Sequence, residues 1–286
     1  MRLWRALGFV IFGLCAIALV VRTARGANTQ RNGDWTVSKS EQAGSVDFSL
    51  IERGHGGNSN HESDWPAKAF QGVDFSKPGR QDVHFTIARD AGKFDCEGYL
   101  KDGEGAGLFH FEPNPDYARQ MQALGFSVDE EKQYNMAVQD VSLEFVKEMK
   151  NERLTDLDAD KLIEFRIFNV NKEFIEDLRA SGLKISDSDK LVAFRIHGVT
   201  PQMIRTLHQS GYNLDEDTLI AFRIHGVSPE FIAKIQGLGY QHPEADQLIA
   251  MRIHGVTPEY IAALHSRGIQ HPTIDDLVSM KIHGID

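Results

Sequence analysis

The chain has 286 residues, 25% of them charged and 41% hydrophobic, and carries a formal net charge of −10. That balance is ordinary for a globular chain, and its acidic sign argues against a nucleic-acid surface. Of the two cysteines only Cys96 lies beyond the N-terminal leader, so no intrachain disulfide can form in the remainder.

Arg2 and Arg5 precede an uncharged apolar run from Ala6 to Val21, and Arg22 to Gly26 follows it. A basic stretch ahead of an apolar one is the pattern of a secretory signal, and the run is only slightly short for a bilayer span. Ala24-Arg25-Gly26 offers a small-x-small cleavage site. Residues 1–27 are therefore expected to be a signal peptide or an N-terminal hydrophobic helix acting as anchor. Export follows, with the protein periplasmic or held at the inner membrane through residues 6–21.

Residues 28–113 read as a small antiparallel β domain. Asn28 to Ser45 is polar and partly flexible, and Ser45 to Ile51 alternates as a half-buried strand does. Gly54 to His61 is a loop by composition. From Asp82, Val83, Phe85 and Ile87 alternate, Asp90-Ala91-Gly92 turns, and a strand through Phe94 and Cys96 follows. Lys101 to Gly107 reads as a Gly-rich turn before Leu108 to Phe111, and residues 114–126 as a linking helix ended by Gly125. His55 and His61 are weak metal candidates, because the loop has no known ligand spacing.

From residue 127 onward the sequence repeats itself. Phe194 to Pro201 reads FRIHGVTP, and related stretches begin at Met136, Phe165, Phe222, Met251 and Met280, spaced 29, 29, 28, 29 and 29 apart. A constant period of that length signals stacked units. In the unit around Phe222, Leu219, Ile220 and Phe222 to Ile224 cover a broad helical face, Gly226 ends the helix, and Ser228-Pro229 begins a second one. Two short helices per unit are marginal alone, so residues 127–286 are expected to stack as about 5.5 αα-hairpin repeats. The fold class is α+β in separate domains, a β domain followed by a solenoid-like array. The first copy has lost Arg, His and Gly, the second replaces His-Gly by Phe168-Asn169, and the chain ends in a half unit.

The motif residues are Arg195, His197, Gly198, Arg223, His225, Gly226, Arg252, His254, Gly255, His283 and Gly284. Histidines one repeat apart stand roughly 10 Å from one another, whereas the ligands of one metal ion lie within about 2 Å of it. They are read as helix C-terminal residues complementing the helix dipole, and the arginines as a structural ladder. Asp189, Asp217, Asp246 and Asp276 are expected partners on neighbouring repeats. Gly103 to Gly107 lacks the Lys-Ser/Thr of a phosphate loop. Asp156 to Asp160 imitates a calcium loop but has Lys161 where glycine is required. No nucleophile elbow, zinc-protease motif or Cys-His pairing is present, so no catalytic residue and no cofactor are expected.

The units LIAFRIHGVSPEFI (Leu219 to Ile232) resemble repeats of bacterial envelope proteins, among them the C-terminal extracytoplasmic regions of some BlaR-type sensor peptidases. Phe85 to Gly92 through Phe109 to Pro115 looks like the segment preceding those repeats, so the resemblance covers about residues 80–286. It implies an envelope accessory or sensor-type region without the peptidase part. The expectation is a non-enzymatic interaction or scaffold protein of the envelope whose partner is a protein or cell-envelope component. One alternative is nucleic-acid binding through Gly198 to Pro201, which resembles the hairpin of helix-hairpin-helix modules. From Ser127, 17 Lys and Arg face 26 Asp and Glu, a balance that opposes phosphate binding. The other alternative is an enzyme with a site in the β-domain loop.

Overall fold

Alternating apolar residues and tight turns build the first half of the molecule. A computed structural model of the chain describes residues 31–54 and 57–285; the expected leader helix and His55 lie outside them. Seven antiparallel strands run β1 (Arg31–Lys39), β2 (Ser45–Gly54), β3 (Gly57–Pro66), β4 (Phe70–Gln71), β5 (Arg80–Arg89), β6 (Gly92–Lys101) and β7 (Glu104–Pro113). Their order in the sheet is β3-β2-β1-β7-β6-β5-β4. The two edge strands are thus consecutive in the chain, joined by one 3-10 turn, Ala67–Ala69. Three residues span at most about 10 Å, so the sheet must curl until its edges nearly meet. Trp65 at one edge and Phe70 at the other have ring centroids 6.1 Å apart.

Two stretches expected to be irregular are strands. Within the expected loop, Gly57 to His61 pairs with β2, His61 opposite Leu50 and Gly57 opposite Gly54. The polar stretch before Ser45 contains β1, whose Trp35 and Val37 face the core while Thr36 and Ser38 are exposed. Composition hides both, because glycine, serine and asparagine are poor strand formers that tertiary pairing overrides. The Gly-rich turn is shorter than expected. Asp102 and Gly103 alone make it, both at positive φ (56° and 90°), as a two-residue hairpin requires. Gly105 and Gly107 belong to β7.

Inside the curl, Trp35 lies across Gly98 and Gly107, which pair directly between β6 and β7. Its indole N–H donates to the Glu97 carbonyl at 3.1 Å. A Cβ on either glycine would meet that ring at 2.7 Å. The Gly98–Gly107 pair therefore makes room for the largest core side chain. Cys96 is buried here, and burial first, then Asp95, pushes its thiol well up, which leaves it unreactive.

Twelve helices follow: α1 (Pro115–Ala123), α2 (Glu130–Val138), α3 (Leu143–Asn151), α4 (Ala159–Ile167), α5 (Lys172–Ala180), α6 (Ser188–His197), α7 (Pro201–Gln209), α8 (Glu216–His225), α9 (Pro229–Gly237), α10 (Ala245–Ile253), α11 (Pro258–Ser266) and α12 (Ile274–Ile282). Even-numbered helices α2 to α12 pack each against the next, and α5, α7, α9 and α11 do likewise. Each even helix ends in the same bond: the N–H of Val141, Val170, Val199, Val227, Val256 or Ile285 reaches back to the residue opening the motif at 2.7–2.9 Å. The turn before it is left-handed in every copy, at Asp140, Asn169, Gly198, Gly226, Gly255 and Gly284. The first copy, without glycine, uses Asp140 instead, because the short acid tolerates that conformation.

Pro115–Ala123, expected as a link, has the features of a second helix of a unit. Asn114 caps it, Pro115 stands in its first turn, and Gly125 follows at φ 93°. Tyr117, three residues past the cap, donates its hydroxyl to the Val141 carbonyl at 2.8 Å. Tyr260, at the same place in α11, does so to Ile285 at 2.6 Å. The repeating pattern therefore starts at 114 rather than 127.

Sheet and helices share a core instead of standing as separate domains, and residues 31–286 form one compact unit. Tyr134 of α2 packs against Phe94, Phe109 and Phe111 of the sheet, with centroids 5.2–6.4 Å apart. The β5–β6 turn is clamped as well. Arg89 pairs with Asp140 at 3.1 Å, Asp90 accepts the Leu143 N–H at 2.9 Å, and Gln133 donates to the Ala91 carbonyl at 2.7 Å.

The helix starts give one acid-stability expectation. Hydrogen bonds from the Thr218 side chain and backbone hold the capping carboxylate of Asp215 below the ordinary range, and those from Thr273 do the same for Asp276. A depressed pKa gives stability that is present above the unfolded value, about 3.9, and lost as pH falls through the folded one. Thermal melts should hold steady down to about pH 5 and drop below about pH 4. Asp215→Asn keeps the cap but removes one titration, so it should shallow that drop.

Candidate interaction surface

The conserved shape of each unit places the motif residues at one edge of the even helices. His197 and His225 are the last helical residues, and His254 and His283 the caps of α10 and α12. His283 Nδ1 lies 2.8 Å from the Ser279 carbonyl, which fixes its proton there. Nothing brings these rings together, and among the described residues no group of three or more His, Cys, Asp or Glu could hold a metal ion. His61 sits in β3 by its backbone, opposite Leu50.

The arginines lock each unit to the one before. Arg166 Nε donates to the Gln139 carbonyl at 3.0 Å, Arg223 Nε to His197 at 3.0 Å and Arg252 Nε to His225 at 3.2 Å. These carbonyls belong to helix C-termini, where no backbone donor remains and a cation complements the dipole. The charge also covers the ring three residues past the preceding N-cap: Arg166 on Phe145 (5.4 Å), Arg252 on Phe231 (5.1 Å) and Lys281 on Tyr260 (4.1 Å). Arg195 stacks at 3.6 Å on Phe174, and burial lowers its pKa. Its Nε finds no hydrogen-bond partner among the described residues.

The acids at even-helix starts have other partners than the arginine ladder. Lys132 reaches Asp160 at 2.6 Å and Lys161 reaches Asp189 at 2.5 Å, while Lys190 pairs with Asp217. This lysine ladder stops there, since Thr218 and Gln247 stand where Lys161 and Lys190 stand in their own helices. Asp276 closes on its own N-cap, Thr273.

One row that sequence reading passed over joins these two edges. Ile167, Ile196, Ile224, Ile253 and Ile282 follow the arginine or lysine in five successive even helices, and each is 44–58% exposed. Ile163, Val192, Ile220, Ile249 and Val278, four residues earlier, lie on the same helical face. Seven residues earlier, two turns down that face, come Asp160, Asp189, Asp217, Asp246 and Asp275. The surface therefore has an acidic lane at the helix starts, an apolar band, and a lane of arginine and histidine at the helix ends. The signal was present in the motif, since an invariant Ile next to Arg has no helical reason to face inward.

On the sheet, an open depression of about 800 Å³ is lined by residues that include Asp34, His84, Tyr99 and Leu108. Arg80 covers the Tyr99 ring at 4.6 Å and His84 pairs with Asp95 at 3.0 Å. Two of its lining side chains are thus engaged by residues outside the lining, Arg80 and Asp95. Comparisons of the chain with protein-family models, curated proteins and solved structures find no match.

Proposed function

We propose that this protein is a non-enzymatic interaction or scaffold component of the bacterial envelope. Residues 1–27 export it and either are removed or hold it at the inner membrane, and the helices act as a solenoid-like αα array that presents one extended face. The observation that carries this reading is the isoleucine row. Five large apolar side chains, one on each of five successive even helices and about half exposed, line up along the array, and exposed apolar rows of that kind mark contact sites on soluble proteins. Burying the exposed half of one such side chain is worth on the order of 1 kcal/mol, so leaving five of them in water is a cost that a partner removes. A sensor-accessory role is the version favoured by the resemblance to the BlaR-type extracytoplasmic regions.

The test uses cells making the full chain. It should fractionate with membranes or be processed, and intact full-length protein in the cytosol would count against export. Cross-linking in the envelope should give a discrete adduct that Ile224→Glu with Ile253→Glu abolishes, while the exposed sheet change Leu108→Glu leaves it in place. An adduct indifferent to both helix substitutions would overturn the reading of this face.

A further inference from the structure

Apart from the isoleucine face, the end of α11 brings two histidines together. His265 lies in the last turn of that helix, and its Nε2 is buried with no hydrogen-bond partner among the described residues. A buried polar atom without a partner is costly to keep in a fold. His271 is exposed in the loop that leads to α12, at φ 53°. The two ring centroids are 5.7 Å apart and the ring planes cross at 56°.

The loop owes its shape to the array. One unit earlier, Gly239, Gln241, His242 and Pro243 stand where Gly268, Gln270, His271 and Pro272 stand here. His242 has φ 49°, close to that of His271. Gln241 and Gln270 each donate the side-chain amide to the helix end, to the Gln236 carbonyl at 3.3 Å and the His265 carbonyl at 3.0 Å. The chain therefore holds His271 beside the end of α11 with no ligand needed to shape the backbone. What differs is the helix position, Gln236 in one copy and His265 in the next. In the earlier copy the loop histidine has Tyr212 as its ring neighbour at 4.5 Å. In the last copy that neighbour is a second imidazole.

We propose that His265 and His271 hold a transition-metal ion of the zinc and copper class. A neutral imidazole protonated at Nδ1 presents Nε2 as a bare lone pair, which is what such an ion takes. The spacing decides between this pair and the motif histidines. Bonds of about 2.0–2.1 Å, with about 1.1 Å more from nitrogen to ring centre, put two imidazoles on one tetrahedral ion about 5.1 Å apart. His265 and His271 need to close by only about 0.6 Å, which the exposed side chain of His271 can supply. The motif histidines, about 10 Å from copy to copy, cannot share an ion. Two protein ligands are fewer than the four of a closed zinc site, so water completes the shell and affinity is on the order of 10 μM. The bound ion ties the end of α11 to the loop entering α12.

Residues 31–286 form one compact unit, and Cys96, their single thiol, is buried and does not compete for metal. Made without a histidine tag, this chain should bind copper(II) in calorimetry with a dissociation constant of about 10 μM. Nickel(II) and zinc(II) should bind more weakly, in the usual order of divalent ions. His265→Gln and His271→Gln should each weaken copper binding by about tenfold or more, with the metal-free circular dichroism spectrum unchanged. Replacing His197, His225 and His254 together should leave the affinity as it was. Electron paramagnetic resonance gives a reading independent of stability. Copper should couple to two ring nitrogens in the parent and to one in either single variant. No saturable binding up to about 1 mM would overturn the proposal, as would an affinity that survives both substitutions or a parent spectrum with a single nitrogen.

Discussion

Gly107→Ala is expected to destabilise the protein by more than about 3 kcal/mol, a large share of the 5–15 kcal/mol that holds a typical domain together. The added methyl would overlap the Glu97 carbonyl oxygen across the β6–β7 pair and stand 2.7 Å from both the Gly98 Cα and the Trp35 Nε1. Two of these three neighbours are backbone and the third is the largest side chain of the core, so none can give way cheaply. The indole would have to leave, taking its bond to Glu97 and its edge contact with Phe85 at 5.1 Å. Leu108→Ser, one residue along and 53% exposed, should change stability by no more than about 0.5 kcal/mol. Denaturant midpoints followed by tryptophan fluorescence give the comparison. Equal midpoints for the two variants would mean that Trp35 does not rest on this glycine pair.

That glycine pair shows why the β half was only partly legible. Val83, Phe85 and Ile87 announce a strand because their own side chains alternate. Gly98 and Gly107 have no side chain to alternate, and their role appears only when Trp35, more than sixty residues from either, is laid over them. The hairpin from β2 to β3 was hidden likewise, since Gly57 to Asn60 are strand residues by pairing and not by propensity.

The helical half was legible for the opposite reason. Its information is local and recurs. Ser228 and Pro229 cap α9, with the hydroxyl accepting the Phe231 N–H at 3.2 Å, and Asn169 stands in for glycine at φ 54°. What escaped was whatever links one unit to the next. The arginine's ring partner sits one unit back, and so does the aspartate's lysine. Tyr117 belongs to the pattern by a hydroxyl bond to the carbonyl of Val141 in the following unit, a contact that the spacing of apolar residues does not announce. The isoleucine row escaped because a strong apolar residue inside a helix motif is read first as core.

The link between units also sets the second large effect. Gly226→Val is expected to cost about 3 kcal/mol, and His225→Gln beside it no more than about 1 kcal/mol. Gly226 has φ 70°, a conformation that costs an L residue about 1–2 kcal/mol, more when it is β-branched. A Cβ there would also come within 2.8 Å of the Arg252 guanidinium, displacing the group that donates to the His225 carbonyl and removing about 1 kcal/mol more. Gly255 separates the two terms. It has φ 73°, but a Cβ on it meets nothing within 4 Å, since Lys281 replaces the next arginine and turns to the Tyr260 ring. Gly255→Val should therefore cost only the conformational part. For a chain of this size 1 kcal/mol moves the melting temperature by about 2–4 °C, so Gly226→Val should fall some 6–12 °C and Gly255→Val about half as far. His225→Gln removes an imidazole from a helix end and leaves Arg252 in place. If added zinc raised the melting temperature of the parent, and replacing His197, His225 and His254 abolished that rise, the histidines would be a metal site and the structural reading of the motif would fail.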